Sequence, residues 1–576
     1  MLLTGNSSWR PKRLPITLLL LAASILASEK EKVVIYRPPL DLALTLSGSY
    51  GELRTTHFHS GVDFRIGGVS GARLYAAADG YVSRISVSPG GYGHAIYIDH
   101  PDGKTTLYGH MMDFAPNIAR WVREQQYLQN NFSVNLYPEK SMFPLNKGDF
   151  IGRAGNTGSS GGPHLHFEVR ESSTQLPLNP FKATSITVVD NIPPEFRSVG
   201  FYGISNHQAL PSRWKVASHN SSYNGIISLP DTFYVAVDAV DRQNGTNAKL
   251  AVYQYNYYLD DTLVFSFTPE KIPFGAGRYI NSIVEYSEKS NNNVSMVKSW
   301  VEPGGGLASN IKSVNDGLFI LRDNLEHKIR IELKDEHGNT TNKYFRAKRS
   351  GSPGSLERDT LISNNNFSRS IVMPWFIPNR YHDSLVRLML PPAALYSSIE
   401  FSADTITVNG DIYHKVHNES TPLHNPAMLA IKVPEKFAGM PVQKLMLVKL
   451  NKNGKLSSAG GTWRNGWVEG QIGSFGIYGI ALDTIPPVVT PSFTNNQNLS
   501  GRSFIRFTIR DNLSGISSYN VWIDGNWILT SYDPKNSRLE SELKPDKLRR
   551  GVKHDLEIEV KDNKGNTTVI KRTFIW

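Results

Sequence analysis

The 576-residue chain contains no cysteine and carries a formal charge of +11, which excludes disulfides, thiolate metal sites and thiol nucleophiles. Its length suits about four domains, each large enough to bury its own core. The positive excess suits an anionic partner such as a bacterial wall polymer, but no nucleic-acid-binding motif accompanies it, and a diffuse solvated surface explains it better.

Residues 1 to 28 place Arg10, Lys12 and Arg13 ahead of an apolar run from Leu18 to Ala27, with Glu29-Lys30-Glu31-Lys32 directly after it. This is the pattern of a secretory signal peptide, and its apolar run is shorter than an ordinary spanning helix. No later stretch is long and apolar enough to cross a bilayer. The expected mature chain is therefore exported, to the periplasm or the cell surface, with no membrane span.

From Val33 to Thr187 the pattern is one of strands and turns. Ala95 to Ile98, the turn Pro101-Asp102-Gly103 and Thr105 to Tyr108 predict a hairpin that delivers His110 to a strand end. Between Phe114 and Leu145, the spacing of Ile118, Trp121, Val122 and Leu128 predicts a short amphipathic helix, either bordering a cleft or packed on the β core. The glycine-rich Gly155 to Gly162 segment lacks the Gly-Lys-Ser/Thr ending of a phosphate loop and leads into a strand, so it is read as a groove wall. The strand that follows carries His164-Leu165-His166, and residues two apart on a strand share a face, so one site receives two imidazoles. A second stretch, His59-Ser60-Gly61-Val62-Asp63, offers an imidazole and a carboxylate with no bulky residue directly between them. Neutral imidazole and carboxylate are zinc ligands, and three of them with a fourth position open to water describe a catalytic zinc. His57 and His59 form another His-x-His, so spacing alone nominates either. Glu168 falls on the face of His164 and His166, with an exposed carboxylate as the default reading and support of a ligand as the other.

His59-x3-Asp63, Tyr108-Gly109-His110 and His164-Leu165-His166 resemble the three motifs of the lysostaphin-type zinc metallopeptidases, the M23 or LytM family, over roughly residues 45 to 182. The resemblance implies an all-β peptidase core with a groove over Zn2+. It implies His59, Asp63 and His166 as metal ligands and His164 and His110 as catalytic residues, and it is what selects His59 over His57. The implied substrate is the peptide part of bacterial peptidoglycan. A protein that uses the peptidase fold only as a wall-binding or amidase-activating docking surface is the alternative, against which the complete ligand set weighs.

The remainder of the chain repeats itself. Asp190-Asn191-Ile192-Pro193-Pro194 recurs as Asp483-Thr484-Ile485-Pro486-Pro487, and Lys334 to Thr341 recurs as Lys561 to Thr568. Alternating strands inside these brackets resemble immunoglobulin-like β-sandwich modules. Asp238, Asp241, Asp511 and Asp562 at strand ends are read as turn caps, since no EF-hand or nonapeptide calcium spacing surrounds them. The expected organisation is mainly β: signal peptide 1–28, peptidase domain 29–188, Ig-like β-sandwich 189–348, linker 349–367, a β-rich domain 368–482 and a second Ig-like β-sandwich 483–576. The modules are expected to position the enzyme, with cell-envelope proteins as candidate partners, and to perform no chemistry.

Overall fold

A computed structural model describes residues 34–350 and 370–576; the signal-peptide reading and nearly all of the linker reading lie outside the described residues. The molecule is mainly β, built from antiparallel sheets around separate apolar cores. None of its described helices is long and apolar enough to cross a membrane.

The first unit runs β1 (Leu46–Gly48), β2 (Val62–Arg65), β3 (Arg73–Tyr75), β4 (Gly80–Val87), β5 (His94–Asp99), β6 (Lys104–Gly109), β7 (Met111–Phe114), helix α1 (Pro116–Gln129), β8 (Val134–Leu136), β9 (Pro144–Leu145), β10 (Phe150–Ala154), β11 (His164–Glu171) and β12 (Pro177–Leu178). The main sheet has the order β1-β2-β11-β6-β5-β4-β8, and β3-β10-β7 form a second, three-stranded sheet. The expected hairpin is β5 and β6, closed by Gly103 at φ 73°. Strand β11 lies between β2 and β6, and its alternation decides the site. Leu165, Phe167 and Val169 are fully buried in the core, each stabilising the fold by roughly 1.5–3 kcal/mol. That burial fixes the register, so His164, His166, Glu168 and Arg170 must emerge on the opposite face.

Helix α1 is present where the spacing predicts it. Ile118, Val122 and Gln126 form its buried side, whereas Leu128, assigned to that side from sequence, is 76% exposed because it lies about 120° around the helix from Val122. No residue of α1 lines the groove, so the helix does not border a cleft. Its outer side instead meets the C-terminal module: Arg123 pairs with Glu542 at 2.9 Å, and the rings of Tyr127 and Trp527 lie 5.7 Å apart. From the same module the Lys535 ammonium reaches the glycine-rich segment, donating to the carbonyls of Asn156, Gly158 and Ser160.

Residues 195–349 form facing five- and six-stranded sheets, 370–482 facing six- and five-stranded sheets, and 488–575 facing four- and five-stranded sheets. The two repeat-bracketed modules also share a parallel strand pair, Ile226–Leu229 with Thr340–Arg349 and Gln497–Asn498 with Thr567–Ile575. The first of these modules interlocks with the first unit. Phe58 is buried in that module's core, 6.2 Å from the ring of Phe267, and Leu250 returns the exchange by entering the core of the first unit. Gln243 accepts from the Leu46 amide at 2.8 Å, and the Ala251 amide donates to Ser49 at 2.9 Å.

Candidate metal centre and groove

Asp63 on β2 stands directly across from His166 on β11, whose other neighbour is Gly109 on β6. His59 reaches the same point from the loop before β2, where Gly61 lets the backbone pass so close that a β-carbon would meet the Phe167 carbonyl at 2.3 Å.

His59 Nε2, Asp63 Oδ1 and His166 Nδ1 converge with separations of 3.0, 3.1 and 2.9 Å. The far nitrogen of each imidazole is already committed: His59 Nδ1 donates to the Ser49 carbonyl at 2.8 Å, and His166 Nε2 donates to Glu168 Oε1 at 2.7 Å. With those tautomers, both converging nitrogens present lone pairs to each other and to a carboxylate oxygen. Only a cation or an added proton relieves such an arrangement. The same demand appears in the titration of His166: burial pushes it down, but hydrogen bonds to Asp63 and Glu168 prevail and lift it to about 9. Burial raises the Asp63 carboxyl, and the His59 charge with hydrogen bonds from His164, His166 and His59 overcomes this, holding it well below the usual carboxylate range. Zinc bound at about 2.0–2.1 Å in a tetrahedron separates its ligands by roughly 3.3 Å, close to what the three atoms show. Donor type, tautomers and spacing therefore fit zinc. The same three residues form one of three groups of metal-ligating side chains among the described residues.

His110 and His164 flank this group, their ring centres 4.8 Å apart. His110 follows β6 at φ 58°, a left-handed conformation that costs a non-glycine residue of order 1 kcal/mol and is common at functional sites. Its Nδ1 donates to the Thr157 carbonyl at 2.8 Å, which leaves Nε2 as an acceptor. Burial, then the charges of His166 and His164, push its pKa down to about 3, so the ring is neutral. His164 Nδ1 lies 2.8 Å from the Gly162 carbonyl, and its Nε2 faces Asp63 Oδ1 at 3.4 Å. All five residues singled out from the sequence thus line one groove of about 710 Å3. His57 is exposed on the groove rim and outside the ligand group. His100 is a satisfied core histidine, bound to Asp79 and Thr106.

The default reading of Glu168 as a surface carboxylate is incorrect. The residue is 0% exposed, and its Oε1 accepts from Ser60 at 2.6 Å, Tyr92 at 2.6 Å and His166, while Arg170 Nε donates to Oε2 at 2.7 Å. Burial alone would protonate it; the Arg170 charge and His166 keep it ionised. Tyr92, Ser60 and Arg170 are functional neighbours that sequence reasoning missed, although the β11 alternation, carried two residues past Glu168, reaches Arg170. Arg54, also missed, holds Asp63 Oδ2 at 2.8 Å. A carboxylate behind a ligating imidazole fixes its tautomer and raises its basicity. Replacing Glu168 by Gln places an amide NH2 against Arg170 or against the three donors, so zinc affinity should fall about 10- to 100-fold. Competition with a chromophoric chelator measures this, and an unchanged affinity would show that the carboxylate serves only packing.

The opposite wall of the groove comes from the next module. Ile272, Pro273, Phe274 and Gly277 line it, and the Arg170 guanidinium lies 4.6 Å from the Phe274 ring centre.

With this geometry in place, comparison with known proteins is informative. Residues 57–132 match peptidase family M23, and residues 370–483 match the Zu5-like domain. The chain carries an M23 peptidase domain and, C-terminal to it, a Zu5-like β domain. The DD-carboxypeptidase/endopeptidase Mpg of Neisseria meningitidis serogroup B is 33% identical over 128 residues, 22% of this chain and 23% of that protein. An uncharacterized metalloprotease of Haemophilus influenzae is 30% identical over 110 residues, 19% of this chain and 18% of that protein. The match thus spans about a quarter or less of the length of these curated relatives. Among solved structures, the catalytic domain of lysostaphin from Staphylococcus simulans shares 23% identity, covering 25% of this chain and 90% of that one at a TM-score of 0.18. A zinc containing peptidase from Vibrio cholerae shares 24% identity, covering 25% of this chain and 39% of that one, also at 0.18.

Proposed function

We propose that the protein is an exported zinc metalloendopeptidase that hydrolyses peptide bonds of bacterial peptidoglycan. The observation that carries this reading is the convergence of three lone-pair-bearing ligand atoms, their far sides fixed, beside two further imidazoles in an open groove. His59, Asp63 and His166 would hold the ion. When bound there, zinc polarises a carbonyl and lowers the pKa of water to about 7. His110, neutral and with Nε2 free, accepts a proton from the attacking water; His164 Nε2 hydrogen-bonds the reacting oxygen atoms from the other side. No His-Glu-x-x-His helix supplies the glutamate base of other zinc peptidases, so the imidazoles carry the proton. The substrate assignment is supported by the 33% identity to the DD-carboxypeptidase/endopeptidase Mpg over 128 residues. In this reading the flanking modules are immunoglobulin-like and position the enzyme on the wall or on an envelope partner.

The test is mass spectrometry of fragments released from purified peptidoglycan by the zinc-loaded mature chain. Soluble muropeptides cut at a stem-peptide crosslink or interpeptide bridge are expected, and their release should stop on zinc chelation. Stoichiometric zinc with no released fragment would favour the docking-surface alternative.

A further inference from the structure

The two repeated modules are entered in the same way. A linker aspartate precedes the Pro-Pro pair, and the closing hairpin grips that linker. Asn339 Nδ2 donates to the Asp190 carbonyl at 3.3 Å and Asn566 Nδ2 to the Asp483 carbonyl at 3.0 Å; Thr341 and Thr568 each donate to the second proline carbonyl at 2.6 Å. Asp335 and Asp562 cap their own hairpins, each accepting two backbone amides on Oδ1 and an asparagine amide on Oδ2. Turn capping therefore accounts for these two residues.

Capping does not account for the rest of the terminal junction. Asp483 is 1% exposed, and its Oδ2 accepts the Ser514 amide at 3.0 Å, but its Oδ1 is buried with no hydrogen-bond partner. Asp511 Oδ2 accepts the amides of Leu513 and Gly515, and its Oδ1 is likewise buried and unpartnered, as is the hydroxyl of Ser514. One oxygen each from Asp483, Asp511 and Asp562 lies within 4.8 Å of the others. An ionised carboxylate oxygen without a partner is costly to bury, and here two of them, on Asp483 and Asp511, lie beside the capping carboxylate of Asp562, whose charge adds repulsion. The Lys564 ammonium, whose field reaches Asp483 and Asp562, is bound instead to the carbonyls of Leu445 and Gly461 at 2.7 and 2.8 Å.

We propose that Asp483, Asp511 and Asp562 form a calcium site at the entry to the C-terminal module, separate from the zinc site and without a catalytic role. The donors are all oxygen, which selects a hard cation over zinc. Calcium takes six to eight oxygens in flexible geometry, whereas magnesium demands a near-ideal octahedron. Three carboxylates from a linker, a loop and a hairpin, with the Ser514 hydroxyl and water, match the former. The first junction supplies an internal contrast. There His337 stands in the group, with Nδ1 3.9 Å from Asp190 Oδ2 and Nε2 on the Val188 carbonyl. Burial, reinforced by Asp335, Asp190 and Glu336, pushes Asp241 up to about 8, so a proton relieves the crowding there. In the terminal group no imidazole takes that place. A cation bridging Asp483 to Asp511 and Asp562 would tie the Zu5-like domain to the module whose Lys535 grips the groove wall.

The experiment is equilibrium dialysis of radioactive calcium against the zinc-loaded mature chain, paired with thermal unfolding at increasing calcium. One calcium is expected at a dissociation constant of about 10⁻⁴–10⁻³ M, the range of extracellular modules, with an upward shift of one unfolding transition. Asp511→Asn should lose at least tenfold in affinity and the calcium-dependent shift. Its amide oxygen can still accept the Leu513 and Gly515 amides and its NH2 can face Asp483, so its calcium-free stability should equal or exceed that of the parent. Asp483→Asn is the second variant with the same expectation, and Asp241→Asn should respond like the parent. The assignment is overturned if the parent neither binds nor shifts at millimolar calcium, if Asp511→Asn and Asp483→Asn bind as the parent does, or if magnesium produces an equal response.

Discussion

Replacing His59, Asp63 or His166 by Ala is expected to empty the zinc site and bring peptidase activity to background. Each change removes one of three protein ligands, so its effect on zinc affinity should exceed the roughly 10- to 100-fold loss typical of an outer partner. The three variants should differ in stability. His59→Ala leaves only the Ser49 carbonyl without its donor. His166→Ala removes the imidazole donor to Glu168 but leaves the carboxylate to Arg170, Tyr92 and Ser60. Asp63→Ala frees Arg54 beside Glu52 and removes the carboxylate at the point where the imidazoles converge, leaving Glu168 behind His166 as the remaining countercharge. Elemental analysis beside initial rates decides the matter, with His57→Ala as the control that keeps both metal and activity. Zinc retained in His166→Ala but lost from His164→Ala would reverse the roles within the His-x-His pair.

His110→Ala and His164→Ala should behave differently, keeping near-normal zinc while turnover drops about 10²- to 10⁴-fold, the usual contribution of a general acid or base. Each ring is tethered through Nδ1 to a backbone carbonyl, of Thr157 and Gly162 respectively, so truncation removes the Nε2 function without moving a ligand. The pH profile gives a second readout. Because the His110 pKa is depressed to about 3, the neutral, proton-accepting form persists as pH falls and is lost only on passing through that value. An acid limb between pH 5 and 7 must then belong to another group and should survive in the residual activity of His110→Ala. Disappearance of that limb in His110→Ala would refute the depressed value.

The β character of the chain, the β5–β6 hairpin, helix α1 and the shared face of His164 and His166 were legible in the sequence as local patterns, while the family resemblance implied the grouping of His59, Asp63 and His110 with them. Period-two alternation and helical spacing are local signals that the core enforces. What escaped reading depends on partners distant in the chain. Glu168 looks like any exposed carboxylate until Ser60, Tyr92 and Arg170 close around it. Phe58, an apolar residue between two histidines, reads as local packing, yet its pocket belongs to a module whose strands begin over a hundred residues later. The sequence spacing places Leu128 on the buried side of α1, but it lies about 120° around the helix from Val122, and the buried position in that last turn is Gln126. Only Arg170 had a usable signal, the continued alternation of β11.

The interlock of the first β-sandwich with the peptidase unit changes what counts as a transplantable piece. A cut near residue 188, which the sequence motifs suggest, would strip Phe58, the neighbour of His59, of its pocket and remove the Ile272–Gly277 wall of the groove. The inheritable unit is therefore the pair, through Ala347, because the apolar core that buries Phe58 runs to that residue. A chimera that keeps the pair and exchanges everything after it retains its own groove, while one spliced at 188 must acquire a new wall from whatever module it joins. Substrate preference in such recombinants would then follow the module fused behind the peptidase as much as the peptidase itself.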